Sequence, residues 1–262
     1  MISHFVEGDG EPLVLLHGLG HRWQAWEPVL DRLTAHHRVY AVDLPGFGGS
    51  PMPPGGIPHG MPSVVDAVRH LLDDLGLTRP HVCGNSLGGA IALELAVAGR
   101  AASATALSPA GFCTPAEARR AVAILNRMRW STYQPARVLR WALAVPAVRA
   151  WSFGPLVTDP SALTIERAVA DAVALRRAPG FRPVARAAHA YRFTGVPTVP
   201  VTVAWGDGDR ILLPHQAERA RALMPSARHV TLAGCGHVPM SDAPGPVAEL
   251  ILETTRAAQR AE

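Results

Sequence analysis

The segment His81-Val82-Cys83-Gly84-Asn85-Ser86-Leu87-Gly88-Gly89 decides the fold. It begins as a short apolar run typical of a buried strand and continues into a longer apolar run typical of a helix. A serine flanked by glycines two residues away on each side predicts a strand-to-helix turn so tight that neither glycine position has room for a Cβ. The hydroxyl would then lie over the helix N-terminus, where unpaired N–H groups favour negative charge. Ser86 is therefore the candidate nucleophile, and a capping serine in an ordinary glycine-rich turn is the alternative.

On both sides of this turn, short apolar runs alternate with longer amphipathic ones. This pattern predicts an α/β fold with a mostly parallel central sheet and helices on both faces. The predicted strands are 13–16, 38–42, 81–84, 103–107, 199–205 and 229–232, and the predicted helices are 23–34, 64–75, 87–98, 215–223 and 246–257. Residues 44–65 carry no charge, but six Gly and six Pro among those 22 residues predict a surface loop rather than a membrane span.

The alternation stops in the middle of the chain, where residues 114–193 show only helical spacing. We therefore predict a core formed by 1–111 and 194–262, with a helical insertion at 112–193. Val138, Trp141, Ala142 and Val145 share one predicted helix face. The large apolar side chains of the insertion either line a substrate pocket or pack the insertion on the core. The pocket candidates there are Phe112, Met128, Trp130 and Trp141.

Charge is distributed unevenly along the 262 residues. All 25 basic residues are Arg, and the formal net charge is +4. The insertion 112–193 holds 13 Arg against four acidic residues, a charge of +9, and the rest holds 12 Arg against 17, a charge of −5. This surplus either steers an anionic substrate toward a cleft or reflects a solvated helix face with a compositional bias. No nucleic-acid-binding module accompanies it, so no nucleic acid partner is predicted.

Two further motifs accompany the serine turn. His17-Gly18-Leu19-Gly20 follows the first predicted strand, and Asp43-Leu44-Pro45-Gly46-Phe47-Gly48-Gly49-Ser50 follows the second. With residues 84–89, these segments resemble the α/β-hydrolase superfamily from His17 to the C-terminal helix. The resemblance implies an α/β-hydrolase fold, a helical cap at 112–193 that covers the active site, and a serine hydrolase activity that needs no cofactor.

A serine nucleophile needs a base and a carboxylate that orients the base. In the family that this chain resembles, the acid follows a late strand and the histidine follows the last strand. The resemblance places the acid at Asp209, with Asp207 as the second choice and Asp242 as the third. His237 fits the base, because among 12 histidines it alone combines flanking glycines with the right position.

The resemblance also implies the groups that stabilise the tetrahedral oxyanion. These are the backbone N–H groups of Leu87, after the nucleophile, and of Leu19, in the first loop. Val238, next to the predicted base, is a further pocket candidate.

Cysteine and histidine spacing argues against disulfides and metal chemistry. Cys83, Cys113 and Cys235 are odd in number and widely spaced, and no HExxH cluster exists, so neither a disulfide framework nor a metal site is predicted. The remaining histidines that flank predicted loops and helix ends are expected to be solvated, namely His36, His37, His59 and His215. The N-terminus lacks a basic segment ahead of an apolar run, so the chain is predicted to be cytoplasmic. We further expect a monomer or homodimer that acts on a small-molecule substrate and has no membrane partner.

The leading hypothesis is hydrolysis of a carboxylic ester with a small or medium apolar acyl group, through an acyl-enzyme. A carbon–carbon bond hydrolase of meta-cleavage products is the main alternative. Those enzymes place Trp directly after the catalytic histidine, whereas Val238 stands here. A lactonase, thioesterase, perhydrolase or acyltransferase would share the same triad, and a pseudo-hydrolase that only binds a ligand is the non-enzymatic alternative.

Overall fold

The sheet is built around the strand that precedes the serine turn. The strands are β1 (His4–Glu7), β2 (Pro12–Leu16), β3 (Arg38–Val42), β4 (His81–Asn85), β5 (Ser103–Leu107), β6 (Val201–Gly206) and β7 (Arg228–Leu232). The computed structural model describes residues 2–57 and 60–260. Within these residues the strand order is β1-β3-β2-β4-β5-β6-β7, and every pairing except that of β1 is parallel. All five residues of β4 are buried, because neighbouring strands cover both of its edges and helices pack on the sheet.

Helices connect the parallel strands. They are α1 (Glu27–Thr34), α2 (Met61–Asp74), α3 (Leu87–Val97), α4 (Pro115–Ser131), α5 (Ala136–Ala144), α6 (Pro146–Phe153), α7 (Ile165–Arg177), α8 (Phe181–Ala190), α9 (Gln216–Leu223), α10 (Pro239–Asp242) and α11 (Pro244–Gln259). Short 3-10 turns occupy Trp23–Trp26 and Pro160–Ala162. The six predicted strands are all present, and the strand β1 was not predicted. Among the described helices, none has the length and apolar composition that crossing a bilayer requires.

The sheet has an apolar layer on each face, because side chains alternate along every strand. Val14 and Leu16 of β2 join one apolar cluster, which also contains Ile91 of α3. Leu13 and Leu15 join the other cluster, which contains residues of α1 and α11. Complete burial of a Leu or Ile side chain contributes roughly 1.5–3 kcal/mol. These two apolar layers therefore hold the strands in place, and with them the strand ends on which the site is built.

Helix α3 is apolar on all sides, and nine of its 11 residues are buried. Such a helix is stable only inside a protein. It packs on β4 and β5 from below, while α4 to α8 lie between β5 and β6 in the chain and form the helical segment above the sheet. The N-terminus of α3 thus points at the boundary between the sheet and that segment.

Candidate active site

The turn between β4 and α3 holds Ser86 in the conformation that the glycines predict. Ser86 has φ 57 and ψ −111, a region that costs a non-glycine residue about 1–3 kcal/mol. A Cβ at Gly84 would lie 2.1 Å from the backbone carbon and oxygen of Gly88, and a Cβ at Gly88 would lie 2.0 Å from the carbonyl oxygen of Leu16. The tight turn therefore requires glycine at both positions. It holds Ser86 at the carboxyl end of β4.

The structure brings His237 and Asp209 together behind this serine. His237 Nδ1 donates a hydrogen bond to Asp209 Oδ2 at 2.8 Å, and both side chains are buried. The other carboxylate oxygen accepts the backbone N–H groups of Ile211 and Leu212, at 2.8 and 2.9 Å. Since these bonds fix the carboxylate, they also fix the tautomer of His237, with Nδ1 protonated and Nε2 free to accept a proton. Ser86 and His237 line the same cavity.

The two other candidate acids hold the loop around His237 rather than its imidazole. Asp207 Oδ1 accepts the backbone N–H of Gly234 at 2.8 Å. Asp242 accepts the backbone N–H groups of Gly236, at 2.7 Å, and of Thr158, at 2.9 Å. Both carboxylates therefore act on backbone groups, whereas Asp209 contacts the ring.

Replacing the acid should separate these roles. In Asp209→Asn, the amide no longer stabilises the imidazolium that forms during turnover, so we expect ester hydrolysis to fall roughly 10³-fold. Asp207→Asn is the matched control, since it changes the same functional group two residues away, and the amide oxygen of the asparagine can still accept the N–H of Gly234. We expect that control to retain most of its kcat. A severe Asp207→Asn and a nearly silent Asp209→Asn, measured on a p-nitrophenyl ester, would contradict the assignment.

Asn85 is a structural contributor that the sequence analysis did not single out. Its side-chain amide donates to the carbonyl oxygens of Leu107, at 3.2 Å, and of His237, at 2.8 Å. The amide thus ties the nucleophile strand to the loop that carries the base. A polar residue in an otherwise apolar buried strand was the available signal.

The loop after β2 lies against the nucleophile. A Cβ at Gly18 would stand 3.3 Å from the Cβ of Ser86, so the loop backbone is in contact with the serine. Leu19 lines the cavity, and Leu87 is the first residue of α3, where backbone N–H groups have no partner within the helix. The structure thus places both residues named as oxyanion donors next to Ser86.

His17 fixes the shape of this loop. Its Nε2 accepts the backbone N–H of Leu44 at 2.9 Å, and its Nδ1 donates to the carbonyl of Gly18 at 2.7 Å. Burial lowers the pKa of His17 from its ordinary value of 6.5 to about 3. The imidazole is therefore neutral in the folded protein and acts as a structural bridge.

This buried neutral histidine predicts acid lability. Because the pKa of His17 is lower in the folded than in the unfolded chain, its contribution to stability is complete above pH 6.5 and falls as the pH drops toward 3. We expect the loss to be about 1.4 kcal/mol of unfolding free energy per pH unit over that interval. Urea unfolding at pH 7.5, 6 and 5 measures it.

The control compares two histidine variants. His17→Gln should weaken the pH dependence, whereas His70→Gln, at an exposed position on α2, should leave it unchanged. An unfolding free energy that stays constant between pH 7.5 and 5 would contradict the prediction.

The cavity above Ser86 has a volume of about 220 Å³ and is mostly apolar. Of the predicted pocket residues, Met128 and Val238 line it. The rest of its apolar wall comes mainly from the helical segment, including Leu125, Val138, Leu139, Leu143, Val148, Trp151, Phe153, Leu156 and Leu175. Trp151 and Phe153, two further large apolar residues of the insertion, thus belong to the wall.

The placement of Phe112, Trp130 and Trp141 in the pocket is wrong. Phe112 is buried at the base of the helical segment, with its ring centroid 5.7 Å from Phe193 and 6.3 Å from Trp205. Trp130 and Trp141 lie on the outer surface, 78% and 76% exposed. In α5 the buried side chains are Leu139 and Leu143. Each follows a residue of the predicted face, Val138 or Ala142, by one position.

A cluster of ion pairs joins the helical segment to the loop after β2. Asp171 on α7 accepts from Arg22 Nε, at 3.1 Å, and from Arg167 Nε, at 2.7 Å. Arg167 also donates to the carbonyl of Gln24 at 2.5 Å. His21 faces Asp171 at 3.9 Å, and its pKa is lowered because it is buried. Arg167 also pairs with Glu27, so the two arginines are matched by two carboxylates.

Other arginines of the helical segment cap helix ends. Arg129 donates to the carbonyls of Leu175, at 3.2 Å, and of Arg176, at 3.0 Å, at the end of α7. Arg176 in turn donates to the carbonyl of Gln134 at 2.6 Å. Part of the arginine surplus therefore satisfies carbonyl groups that have no partner within their helix. The sequence alone did not distinguish this structural role from the steering of an anionic substrate.

At the opposite end of β4, two histidines and a carboxylate lie close enough to hold a metal ion. The ligand atoms of Glu11, His37 and His81 are within 4.8 Å of one another. His81 contacts Ser103 Oγ at 2.8 Å and Glu11 Oε2 at 3.1 Å, and His37 contacts Thr255 Oγ1 at 3.0 Å and the carbonyl of Glu11 at 3.1 Å. Each ring nitrogen thus has a protein partner, and the group works as a hydrogen-bond network.

This network corrects one sequence prediction. His37 was expected to be solvated, but it is 3% exposed because α11 covers it through Thr255. His36 is exposed, and His215 is paired with Glu117. His59 lies outside the described residues.

The comparisons with known proteins agree with this architecture. A family model described as the alpha/beta hydrolase family matches residues 13–250. The chain therefore belongs to the α/β-hydrolase family, and the predictions of that family, of its fold and of an enzyme are confirmed.

The similar proteins include hydrolases and esterases. A 2-hydroxy-6-oxo-2,4-heptadienoate hydrolase of Pseudomonas putida is 42% identical over 93 residues, 34% of this chain and 33% of that protein. A pimeloyl-[acyl-carrier protein] methyl ester esterase of Aeromonas salmonicida is 39% identical over 90 residues, 34% of each chain. The matches therefore span about a third of these relatives. A thermophilic esterase from Thermogutta terrifontis shares the fold, with a TM-score of 0.75 and 23% identity over 98% of this chain and 93% of that chain.

Proposed function

We propose that this protein is a serine hydrolase that cleaves carboxylic esters with a small or medium apolar acyl group. The observation that carries the proposal is one arrangement: a strained Ser86 shares a cavity with His237, whose Nδ1 is held by the buried carboxylate of Asp209. The esterase name of the Aeromonas salmonicida relative supports ester cleavage.

In the first half of the reaction, Ser86 Oγ attacks the ester carbonyl while His237 Nε2 takes the hydroxyl proton. The backbone N–H groups of Leu19 and Leu87 stabilise the oxyanion, each contributing about 3 kcal/mol. The imidazolium, balanced by Asp209, then protonates the leaving alcohol and an acyl-enzyme remains. In the second half, His237 deprotonates a water molecule that attacks the acyl group, and the acid is released from Ser86.

The helical segment 112–193 serves as a cap that selects the acyl group. Its contribution to the cavity wall is aliphatic and aromatic, so an alkyl or aryl acyl chain leaves water when it binds. The Asp171 cluster neutralises Arg167 at the wall, so we expect no preference for an anionic acyl chain.

Hydrolysis of a carbon–carbon bond in a meta-cleavage product is the second candidate. The match to the Pseudomonas putida hydrolase favours it. Against it stands Val238, where enzymes of that kind resemble one another in carrying Trp.

A substrate panel distinguishes the two candidates. p-Nitrophenyl esters of increasing acyl length are compared with a meta-cleavage dienone, with the Ser86→Ala variant as the blank in every assay. The proposal predicts the highest kcat/KM on one of the esters and slow or no turnover of the dienone. Faster turnover of the dienone than of every ester would overturn it.

A further inference from the structure

Exposed apolar side chains are concentrated on one part of the surface. Among the described residues, ten large apolar side chains are exposed, and seven of them lie between positions 130 and 151. We call these seven the outer patch: Trp130, Tyr133, Val138, Trp141, Val145, Val148 and Trp151. Single exposed apolar residues are common on soluble proteins, but a group of this size marks an interaction surface.

One contact links α4 to α6 at the outer patch. The guanidinium of Arg127 on α4 lies 5.7 Å from the ring centre of Trp151 on α6. Trp130 follows Arg127 by three residues, so the two share a face of α4, and Tyr133 lies just beyond the end of that helix. Trp141 likewise follows Val138 by three residues on α5.

Part of the outer patch borders the active-site cavity. Val138, Val148 and Trp151 are exposed, and the same three residues line the cavity above Ser86. A partner seated on the patch would therefore lie against the mouth of this cavity.

The stretch of chain that carries the patch has charges of one sign. Residues 126–153 contain five Arg and no acidic residue. Three of them have protein partners: Arg140 pairs with Glu166 at 2.7 Å, Arg129 caps α7, and Arg149 donates to a carbonyl of α5. Arg127 lies over Trp151, and Arg137 is exposed one residue before Val138.

Tryptophan and arginine together fit a particular kind of partner. Two other tryptophans, Trp26 and Trp205, are completely buried, so the three exposed ones are not explained by core packing. Indole rings prefer the boundary between water and an apolar phase, and arginines are attracted to anionic headgroups at about 1 kcal/mol each. Protein interfaces also favour tryptophan and arginine. Here, however, the stretch that carries the exposed tryptophans has five arginines and no acidic residue, which is the charge that an anionic lipid surface attracts.

We propose that the outer patch binds an anionic phospholipid surface, with the mouth of the cavity facing the lipid. Binding involves adsorption to the surface and no insertion of a spanning helix. This inference goes beyond the proposed ester hydrolysis and replaces the expectation, drawn from composition, that the chain has no membrane partner. Because adsorption involves no chemistry at Ser86, it can be tested separately from catalysis.

The test measures co-sedimentation with vesicles of phosphatidylcholine alone and of phosphatidylcholine with phosphatidylglycerol, together with the tryptophan emission maximum. We expect binding and a blue shift with the anionic vesicles, at least about tenfold weaker binding to phosphatidylcholine, and loss of binding in high salt. The double variant Trp130→Gln/Trp141→Gln should bind anionic vesicles at least about tenfold more weakly. Neither residue lines the cavity, so hydrolysis of a soluble p-nitrophenyl ester should be unchanged.

Matched controls lie on other surfaces. Val97→Gln/Val196→Gln removes two exposed apolar side chains outside the patch, and Arg221→Gln is compared with Arg137→Gln for the charge. The controls should bind like the unmodified protein, and Arg137→Gln should bind more weakly. Absence of binding to anionic vesicles, or binding that the double tryptophan variant retains, would overturn the proposal. A dimer that this variant dissociates, without vesicle binding, would assign the patch to a second copy and overturn it too.

Discussion

Ser86→Ala is expected to lower ester turnover by about 10⁴-fold or more, because the members of a catalytic triad act as a unit. The alanine cannot form the acyl-enzyme, and the oxyanion donors and the cavity alone retain only a small residual rate. His237→Ala should fall equally far, since without the imidazole the serine hydroxyl keeps its proton. Steady-state kinetics on the best p-nitrophenyl ester give kcat and KM for each variant.

The control for this loss is Ser152→Ala, which makes the same chemical change in the cavity wall on α6. It should keep most of the wild-type kcat. Circular dichroism and the thermal midpoint show whether each variant is folded. A folded Ser86→Ala that retains a tenth of the ester turnover would contradict the assignment of the nucleophile.

Gly88→Ala is expected to destabilise the fold more than any surface change. Its Cβ would lie 2.0 Å from the carbonyl oxygen of Leu16 and 2.8 Å from that of His17. The carbonyl of Leu16 cannot retreat, because β2 is paired on both edges. His17 is held by the two hydrogen bonds of its imidazole. We expect a loss of more than about 3 kcal/mol of unfolding free energy, measured by urea unfolding, or failure to accumulate as a folded protein.

Gly245→Ala is the matched control. A Cβ there meets nothing closer than 3.9 Å, and the residue lies in the first turn of α11. We expect it to cost no more than about 1 kcal/mol, because only the neighbouring Pro246 crowds the added Cβ. A Gly88→Ala variant within about 1 kcal/mol of the unmodified protein would show that the turn has more space than its geometry indicates.

The sequence predicted the structure best where one steric requirement determines the residue type at several positions. Gly84 and Gly88 predicted the turn, and the turn predicted the orientation of β4 and α3, because backbone atoms leave no room for a Cβ. The strand β1 was missed for the opposite reason. It has four residues and forms the antiparallel edge of the sheet, and only its pairing with β3 defines it as a strand.

The acid shows the limit of reasoning from residue types. Asp207 and Asp209 stand in one turn and carry the same functional group, so chemistry alone left both open. The two carboxylates are two residues apart, and their positions in the turn decide which one contacts His237 and which one contacts the backbone of Gly234. That register depends on how β6 and the following loop pack, which a single sequence does not state.

The pocket was the least predictable part. Helical periodicity indicates that a helix has an apolar face, but not which neighbour that face contacts. Helix α5 has apolar residues on two sides, so Trp141 was as good a candidate for the inner face as Leu139. The packing of α5 on α6 and α7 selects the side that carries Leu139 and leaves Trp141 exposed.

The most direct test of the central claim is reaction of the folded protein with a fluorophosphonate probe, followed by intact-mass and peptide mass spectrometry. A serine that attacks electrophiles, assisted by His237 and Asp209, predicts one adduct per chain, located on Ser86, and none in Ser86→Ala. A folded chain that takes up no probe, or that carries the adduct on another residue, would show that this cavity binds ligands without an activated serine.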